Sequence, residues 1–196
     1  MPKSFRLVLS VLVTCVVAAT GLALTYGATA PRIEEQKRLA EQRSLEAVIP
    51  DATFEAVGEA DPLARAAAGA AAPVDFVALY RAFSDGQQVG WALRLASRGY
   101  AGPMQLVIGL DTSGSVTGVS ILSMNETPGL GTKVKSEAWF IEQASELQPG
   151  FTDSDVRGTM DAISGATRSS NGVRNGVAAA GRIYLEVLAG EGVEAR

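Results

Sequence analysis

The sequence predicts an α+β fold: a single N-terminal transmembrane helix followed by a domain with an antiparallel sheet and flanking helices. Three observations predict it. Residues 7–26 form an uncharged apolar run. Between Phe76 and Leu122, four apolar stretches alternate with short turn signals. After Ser170, the residues Val173, Val177, Ala180, Tyr184 and Leu188 recur at the spacing of an amphipathic helix.

Composition narrows the chemistry. The 196 residues carry a formal net charge of −4, which gives no basic footprint for nucleic acid. There is no histidine, so the commonest general base and metal ligand is missing. The only cysteine, Cys15, lies in the apolar run. One cysteine excludes a disulfide within the chain, a four-cysteine iron–sulfur site and a C-x-x-C-H haem attachment. No D-x-D-x-D-G calcium loop occurs. No metal site is therefore predicted, and any redox chemistry must come from an organic cofactor.

The chain divides in order. Twenty residues at about 1.5 Å each span roughly 30 Å, the thickness of a bilayer core. Lys3 and Arg6 precede the span, while Arg32, Lys37 and Arg38 follow it. The charge bias is weak, and the short tail favours a cytoplasmic N-terminus. Ala28-Thr29-Ala30 also resembles a signal-peptidase site, but the run is long for a signal peptide and Pro31 would follow the cut. A retained anchor is expected. The expected divisions are a cytoplasmic tail over 1–6, a transmembrane helix over 7–26, a stalk helix over 31–49 and an extracytoplasmic domain over 50–196.

Pro31 suits the first position of the stalk helix, Glu34 can pair with Arg38, and Pro50 ends it. Residues 59–73 are Ala- and Gly-rich and read as a loop or a short helix. Strands are predicted over 76–83, 89–96, 104–110 and 116–122. Val89, Trp91, Leu93 and Leu95 alternate with smaller or polar residues, as in a half-buried strand. Ser84-Asp85-Gly86-Gln87, Gly99-Tyr100-Ala101-Gly102 and Asp111-Thr112-Ser113-Gly114 supply the turns. Short connections make the pairing antiparallel. Ser136 is expected to cap a helix containing Trp139, Phe140 and Gln143, with Trp139 in the core rather than stacked on a ligand. Residues 151–160 read as extended, and the residues after Ala189 as frayed.

Two stretches carry the chemistry. The first is Asp161-Ala162-Ile163-Ser164-Gly165-Ala166-Thr167, directly before the last helix, which Ser169, Ser170 or Asn171 can cap. Thr167 sits where a helix N-terminus points free N–H groups and a positive dipole end, a setting that suits a phosphate. Taken alone, S-G-A-T is an ordinary Ser/Gly turn with a cap. The second stretch is Glu126-Thr127-Pro128-Gly129-Leu130-Gly131, where glycines flank Leu130 on a stiff tip.

The first stretch resembles the D-x-x-S/T-G-A-T flavinylation signature, and the second resembles the E-T-P-G-L-G loop of the same FMN-binding domain. Gly99-Tyr100-Ala101-Gly102 is similar to that domain's G-Y-x-G turn. Together they resemble the G subunit of Rnf-type ion-translocating electron-transport complexes, a family related to the C subunit of the sodium-translocating NADH:quinone reductase. The resemblance covers most of the chain from about Leu45 and implies the following. FMN is held covalently by a phosphoester to Thr167. Asp161, Ser164, Gly165 and Ala166 serve that attachment or its recognition by a separate flavin transferase, which uses FAD and magnesium. Glu126 belongs to the cofactor loop, and Thr127 and Leu130 lie against the isoalloxazine ring. Lys133 meets flavin or phosphate oxygens, or is simply solvated. Met124 stands where the family often has histidine.

The function implied is electron relay inside a complex of several membrane subunits, coupling electron transfer between ferredoxin and NAD to ion movement. The protein would be a single-pass protein of the inner membrane, with the flavin domain in the periplasm. No catalytic residue of its own is predicted, because there is no histidine and no G-x-G-x-x-G dinucleotide fingerprint. Two other readings remain: the C subunit of the quinone reductase, and a membrane-tethered flavin sensor or regulatory module. The single span and the lack of long insertions before Gly99 favour the first reading.

Overall fold

The structure is a computed structural model that describes residues 3–191. Residues 1–2 of the expected tail and 192–196 of the expected frayed end lie outside the described residues, as do the side chains of Lys3 and Arg6. The chain forms two compact units, Met1–Glu41 and Gln42–Arg196.

The first unit is helical. It belongs to α1, which runs Lys3–Val48 with Pro31 inside it. An 18-residue window of this helix has a mean hydropathy of 2.5 and no buried residue, so it is long and apolar enough to cross a membrane. Its hydroxyls are satisfied locally: Thr14, Thr20, Thr25 and Thr29 each donate to the carbonyl four residues back, at 2.8–2.9 Å. The expected break before Pro31 is absent. A proline removes one rung of helix hydrogen bonding, and the good helix formers on both sides carry the helix through it. The expected Glu34–Arg38 pair is also replaced. Lys37 binds Glu34 and Arg38 binds Glu35, each at 2.8 Å and three residues apart.

The second unit is built on five antiparallel strands in sequence order: β1 (Thr53–Ala56), β2 (Asp75–Ser84), β3 (Gln87–Arg98), β4 (Pro103–Asp111) and β5 (Val116–Ser123). The four strands expected from the sequence are β2 to β5. β1 has only four residues and no periodicity of its own; its pairing with the end of β2, Thr53 opposite Phe83, defines it. The Ala-rich segment forms α2 (Pro62–Ala70), started by Asp61, whose carboxylate accepts from Leu63 N–H at 2.8 Å.

Both faces of the sheet are covered. On one face Trp91, Leu93, Leu95, Leu106, Ile108 and Leu110 pack with the helices that follow the sheet. On the other, Ala82, Ala92 and Val107 pack against Leu45, Val48 and Ile49 from the end of α1. β3 is therefore buried on both sides rather than half-buried, and its small residues are the ones beneath α1. Gly109 lies opposite Gly118 in the β4–β5 register. A Cβ on Gly109 would stand 2.8 Å from the Val48 carbonyl oxygen. The glycine pair lets the end of α1 lie close on the sheet.

After β5 come α3 (Lys133–Ser136), α4 (Ala138–Glu142), α5 (Asp153–Thr159) and α6 (Thr167–Ile183), the last passing into a wider turn over Tyr184–Leu188. Three expectations are corrected here. Ser136 ends α3 instead of capping the next helix, and α4 starts from Glu137 without a side-chain cap. Phe140 is fully buried, but Trp139 is 43 % exposed, with its ring edge-on to Phe140 at 6.1 Å. The segment read as extended contains α5, started by a capping box between Thr152 and Asp155. The hydrogen bonds from Thr152 hold the Asp155 carboxyl below its usual range.

α6 lies on the sheet with Gly172 against the Arg98 carbonyl and Gly176 against Leu106. Val173, Val177, Ala180 and Ile183 are fully buried. This seating brings the start of α6 to the sheet end where β3 turns into β4 and where the chain leaves β5.

Gly109→Ala should destabilise the fold by about 1–3 kcal/mol, the usual cost of overpacking. Gly69→Ala, in α2 with open space around it, should be neutral or stabilising by up to about 1 kcal/mol. Thermal or denaturant unfolding of the two variants checks this.

Candidate functional site

The motif before α6 is a tight turn held from within. Ala166 N–H donates to the Ile163 carbonyl at 2.9 Å, and Gly165 supplies a φ of +78° between them. Ile163 N–H donates to Ser170 Oγ at 3.0 Å, across a fully buried hydroxyl. At the start of α6, Ser170 N–H donates to the Ala166 carbonyl at 2.9 Å. The N–H groups of Thr167, Arg168 and Ser169 therefore belong to the free first turn. The expected caps are corrected: α6 begins at Thr167 after Ala166 and has no side-chain cap bond. Ser169 and Ser170 are inside the first turn, and their hydroxyls bind other segments.

The segment before this turn is anchored separately. The Arg174 guanidinium donates to the Met160 carbonyl, to the Arg157 carbonyl at 3.2 Å and to Asn171 Oδ1 at 3.2 Å. Burial and the nearby Arg157 charge lower its pKa, and Asp161 opposes them. Asp161 N–H donates to Gln143 Oε1 at 2.9 Å.

The 126–131 loop faces this turn. Thr127 C=O accepts from Leu130 N–H at 3.2 Å and Thr132 N–H at 3.4 Å, which closes the loop on itself. Leu130 stands at its tip, 52 % exposed. An ideal Cβ on Gly165 would be 3.9 Å from Leu130 Cδ2, so the loop tip stands close to the motif turn.

Glu126 joins the parts. It is only 7 % exposed. Its Oε1 accepts from Tyr100 N–H at 2.8 Å and Ala101 N–H at 3.2 Å, and its Oε2 accepts from Ser169 Oγ at 2.8 Å. One carboxylate thus ties the β3–β4 turn, the 126–131 loop and the first turn of α6. Gly99 and Gly131 flank it closely. A Cβ on Gly99 would collide with Oε1, and one on Gly131 would collide with Oε2 and stand 2.7 Å from Glu126 Cβ. Gly131 is required by this approach; its φ is not positive, unlike that of Gly129.

Between these segments lies a cavity of about 490 Å³ lined by residues of all three. Of the residues expected from the sequence, Glu126, Thr127, Leu130, Gly165, Ala166 and Thr167 line it. Ser164, Asp161 and Lys133 do not. Ser164 and Asp161 are exposed beside the turn. Lys133 starts α3, and its N–H donates to the Leu130 carbonyl at 3.1 Å. Tyr100, Arg168 and Ser169 also line the cavity, and none of them is among the site residues expected from the sequence. The Arg168 guanidinium lies over the Tyr100 ring, 5.9 Å from its centroid. Tyr100 carries a signal, an aromatic residue between glycines in a short turn. Arg168 and Ser169 carry little, because their contacts cross the chain. Met124 is partly buried and packs on the core.

The lining fits FMN. The volume is within the usual range for small-ligand sites, about 300–1,000 Å³. Leu130 and Tyr100 offer apolar and aromatic surface to a planar ring. The free N–H groups of α6, the Thr167 hydroxyl and the Arg168 cation offer a setting for phosphate. Among the described residues no cluster suited to a metal ion occurs.

Fold and cavity together define an FMN-binding domain, and the FMN-binding domain family model matches residues 99–181. The chain belongs to the family of G subunits of ion-translocating oxidoreductase complexes. It is 34 % identical over 188 residues to the G subunit of the Na(+)-translocating ferredoxin:NAD(+) oxidoreductase complex of Acetobacterium woodii, covering 92 % of this chain and 91 % of the relative. It is 31 % identical over 176 residues to the G subunit of the ion-translocating oxidoreductase complex of Stutzerimonas stutzeri, covering 86 % and 75 %. Among solved structures, the C subunit of the Na(+)-translocating NADH-quinone reductase of Parabacteroides distasonis aligns with a TM-score of 0.49 at 22 % identity, over 80 % of this chain and 95 % of that one.

Proposed function

We propose that this chain is the membrane-anchored flavoprotein subunit of an Rnf-type ion-translocating complex, carrying FMN covalently on Thr167 and relaying electrons between neighbouring subunits. One observation carries the reading: Thr167 is the first residue of α6 and lines the same cavity as Leu130 and Tyr100. The FMN ring supplies the redox chemistry. The chain's residues hold and orient it. The free N–H groups of Thr167, Arg168 and Ser169 would receive phosphate oxygens. Leu130, Thr127 and Tyr100 would offer surface to the ring, with Arg168 beside them. Gly165 and Ala166 shape the turn. Asp161 and Ser164, exposed outside the cavity, are surfaces for the flavin transferase. Lys133 is solvated at the loop's foot.

Attachment by that transferase from FAD is a substitution at phosphorus. Thr167 Oγ1 gains the FMN phosphoryl group and loses its proton, the phosphoanhydride bond breaks, and AMP leaves. Thr167→Ala should abolish the flavin fluorescence that migrates with the protein in a denaturing gel, without altering the unfolding midpoint of the apoprotein. Fluorescence persisting in the variant would move the attachment to another hydroxyl.

In the membrane, residues 1–6 form a cytoplasmic tail, 7–26 a transmembrane helix, 31–49 a stalk and 50–196 the periplasmic flavin domain. The bare apolar surface of α1 and its internally bonded threonines support the anchor. Protease added to spheroplasts should digest the flavin domain; full protection would reverse the topology.

A relay protein does not need its own nicotinamide site. The flavin-loaded domain, mixed with NADH in a stopped-flow instrument, should stay oxidised over many seconds while dithionite bleaches it. Bleaching by NADH at about 1 s⁻¹ or faster, an ordinary turnover rate, would make this protein a reductase in its own right.

A further inference from the structure

We propose that Glu126 is a positioning residue of the flavin site, acting by the geometry of its hydrogen bonds to the protein rather than by its charge on the flavin; this rests on the FMN reading above. Family resemblance implies a cofactor role for the whole loop. The geometry points elsewhere for its first residue. Both carboxylate oxygens are occupied by protein donors: Tyr100 and Ala101 N–H on one, the Ser169 hydroxyl on the other. The three bonds connect segments 25 to 43 residues apart in sequence. Each segment lines the cavity: Tyr100 from the first, Glu126 itself with Thr127 and Leu130 from the second, Thr167 and Arg168 from the third.

Burial makes the arrangement selective. A carboxylate removed from water is tolerated only when donors satisfy it. Here the donors are two backbone N–H groups, one hydroxyl and the positive end of α6. If the segments part, the carboxylate loses these donors. The glycines make the fit tight, because Gly99 and Gly131 bring backbone against both oxygens where any side chain would collide. The spacing of the segments that carry Leu130 and Thr167 is thus set within the protein, before flavin arrives.

Two substitutions separate geometry from charge. Glu126→Gln removes the charge and keeps the length: its carbonyl oxygen can accept from Tyr100 and Ala101, and its amide can donate to Ser169 Oγ. Glu126→Asp keeps the charge and is one methylene too short to reach both partners. The full-length proteins are purified from cells that attach the flavin, and the visible-region circular dichroism of the attached flavin is recorded. That signal reports how firmly the tethered ring is docked, which stability alone does not move. Glu126→Gln should match the wild type in attachment and dichroism. Glu126→Asp should reduce the ratio of docked to free ring roughly two- to tenfold, the effect of one lost hydrogen bond, or lose the flavin altogether. Ser169→Ala removes one bond and leaves the carboxylate in place, and should show the same reduction if Glu126→Asp does not fold. The reverse order, with Gln impaired and Asp normal, would make Glu126 an electrostatic partner of the flavin and overturn the proposal. Equal behaviour of the two variants, intact or impaired, would overturn it as well. A wild-type protein without attached flavin would instead refute the FMN reading on which the proposal stands.

Discussion

A single buried carboxylate holds the site together. Glu126 bonds to the turn between β3 and β4 and to the first turn of α6, while its own backbone leads the 126–131 loop. Sheet topology makes this possible. β3 and β4 pair to the end of the sheet at Arg98 opposite Pro103, and β5 leaves from the same end, with Ser123 opposite Gln105. α6 is pulled to that end by its glycines, which seat it against Arg98 and Leu106. Three segments distant in sequence therefore meet at one place, and a carboxylate needing several donors is well suited to fix their spacing.

The rest of the domain serves that rigidity. The sheet is buried on both faces, with large side chains beneath α6 and small ones beneath the end of α1. Arg174 fixes the carbonyl of Met160 immediately before the motif, and Ser170 fixes Ile163 within it. The turn is thus held on both sides, while Gly165 and Thr167 stay exposed. A rigid frame with an exposed hydroxyl suits the attachment proposed for Thr167.

Much of this is legible in the sequence, for physical reasons that differ by element. β2 to β5 can be read because alternation and turn residues are local signals. The motif turn is ordinary taken alone and becomes legible as a site only through its resemblance to the flavinylation signature. β1 and α5 are harder. β1 is defined by its partner strand rather than by its own four residues. α5 is short, and its one local signal is the capping box of Thr152 with Asp155. Trp139 has the composition of a core residue, but its neighbour Phe140 takes that position. At the site, most residues that the family resemblance implies line the cavity, whereas Arg168 and Ser169 join it only through contacts across the fold. Glu126 is evident from its place in the loop, and its bonding partners lie beyond what spacing can give.

The proposed arrangement has FMN in the cavity between the 126–131 loop and α6, bound by its phosphate to Thr167, with Glu126 bonding the lining segments together. A crystal structure of the protein purified in its flavin-bearing form tests this. It should show a phosphorus atom bonded to Thr167 Oγ1, the ring against Leu130, and Glu126 still bonded to Tyr100, Ala101 and Ser169. A flavin bonded elsewhere, or a Glu126 carboxylate turned onto the ring, would contradict it.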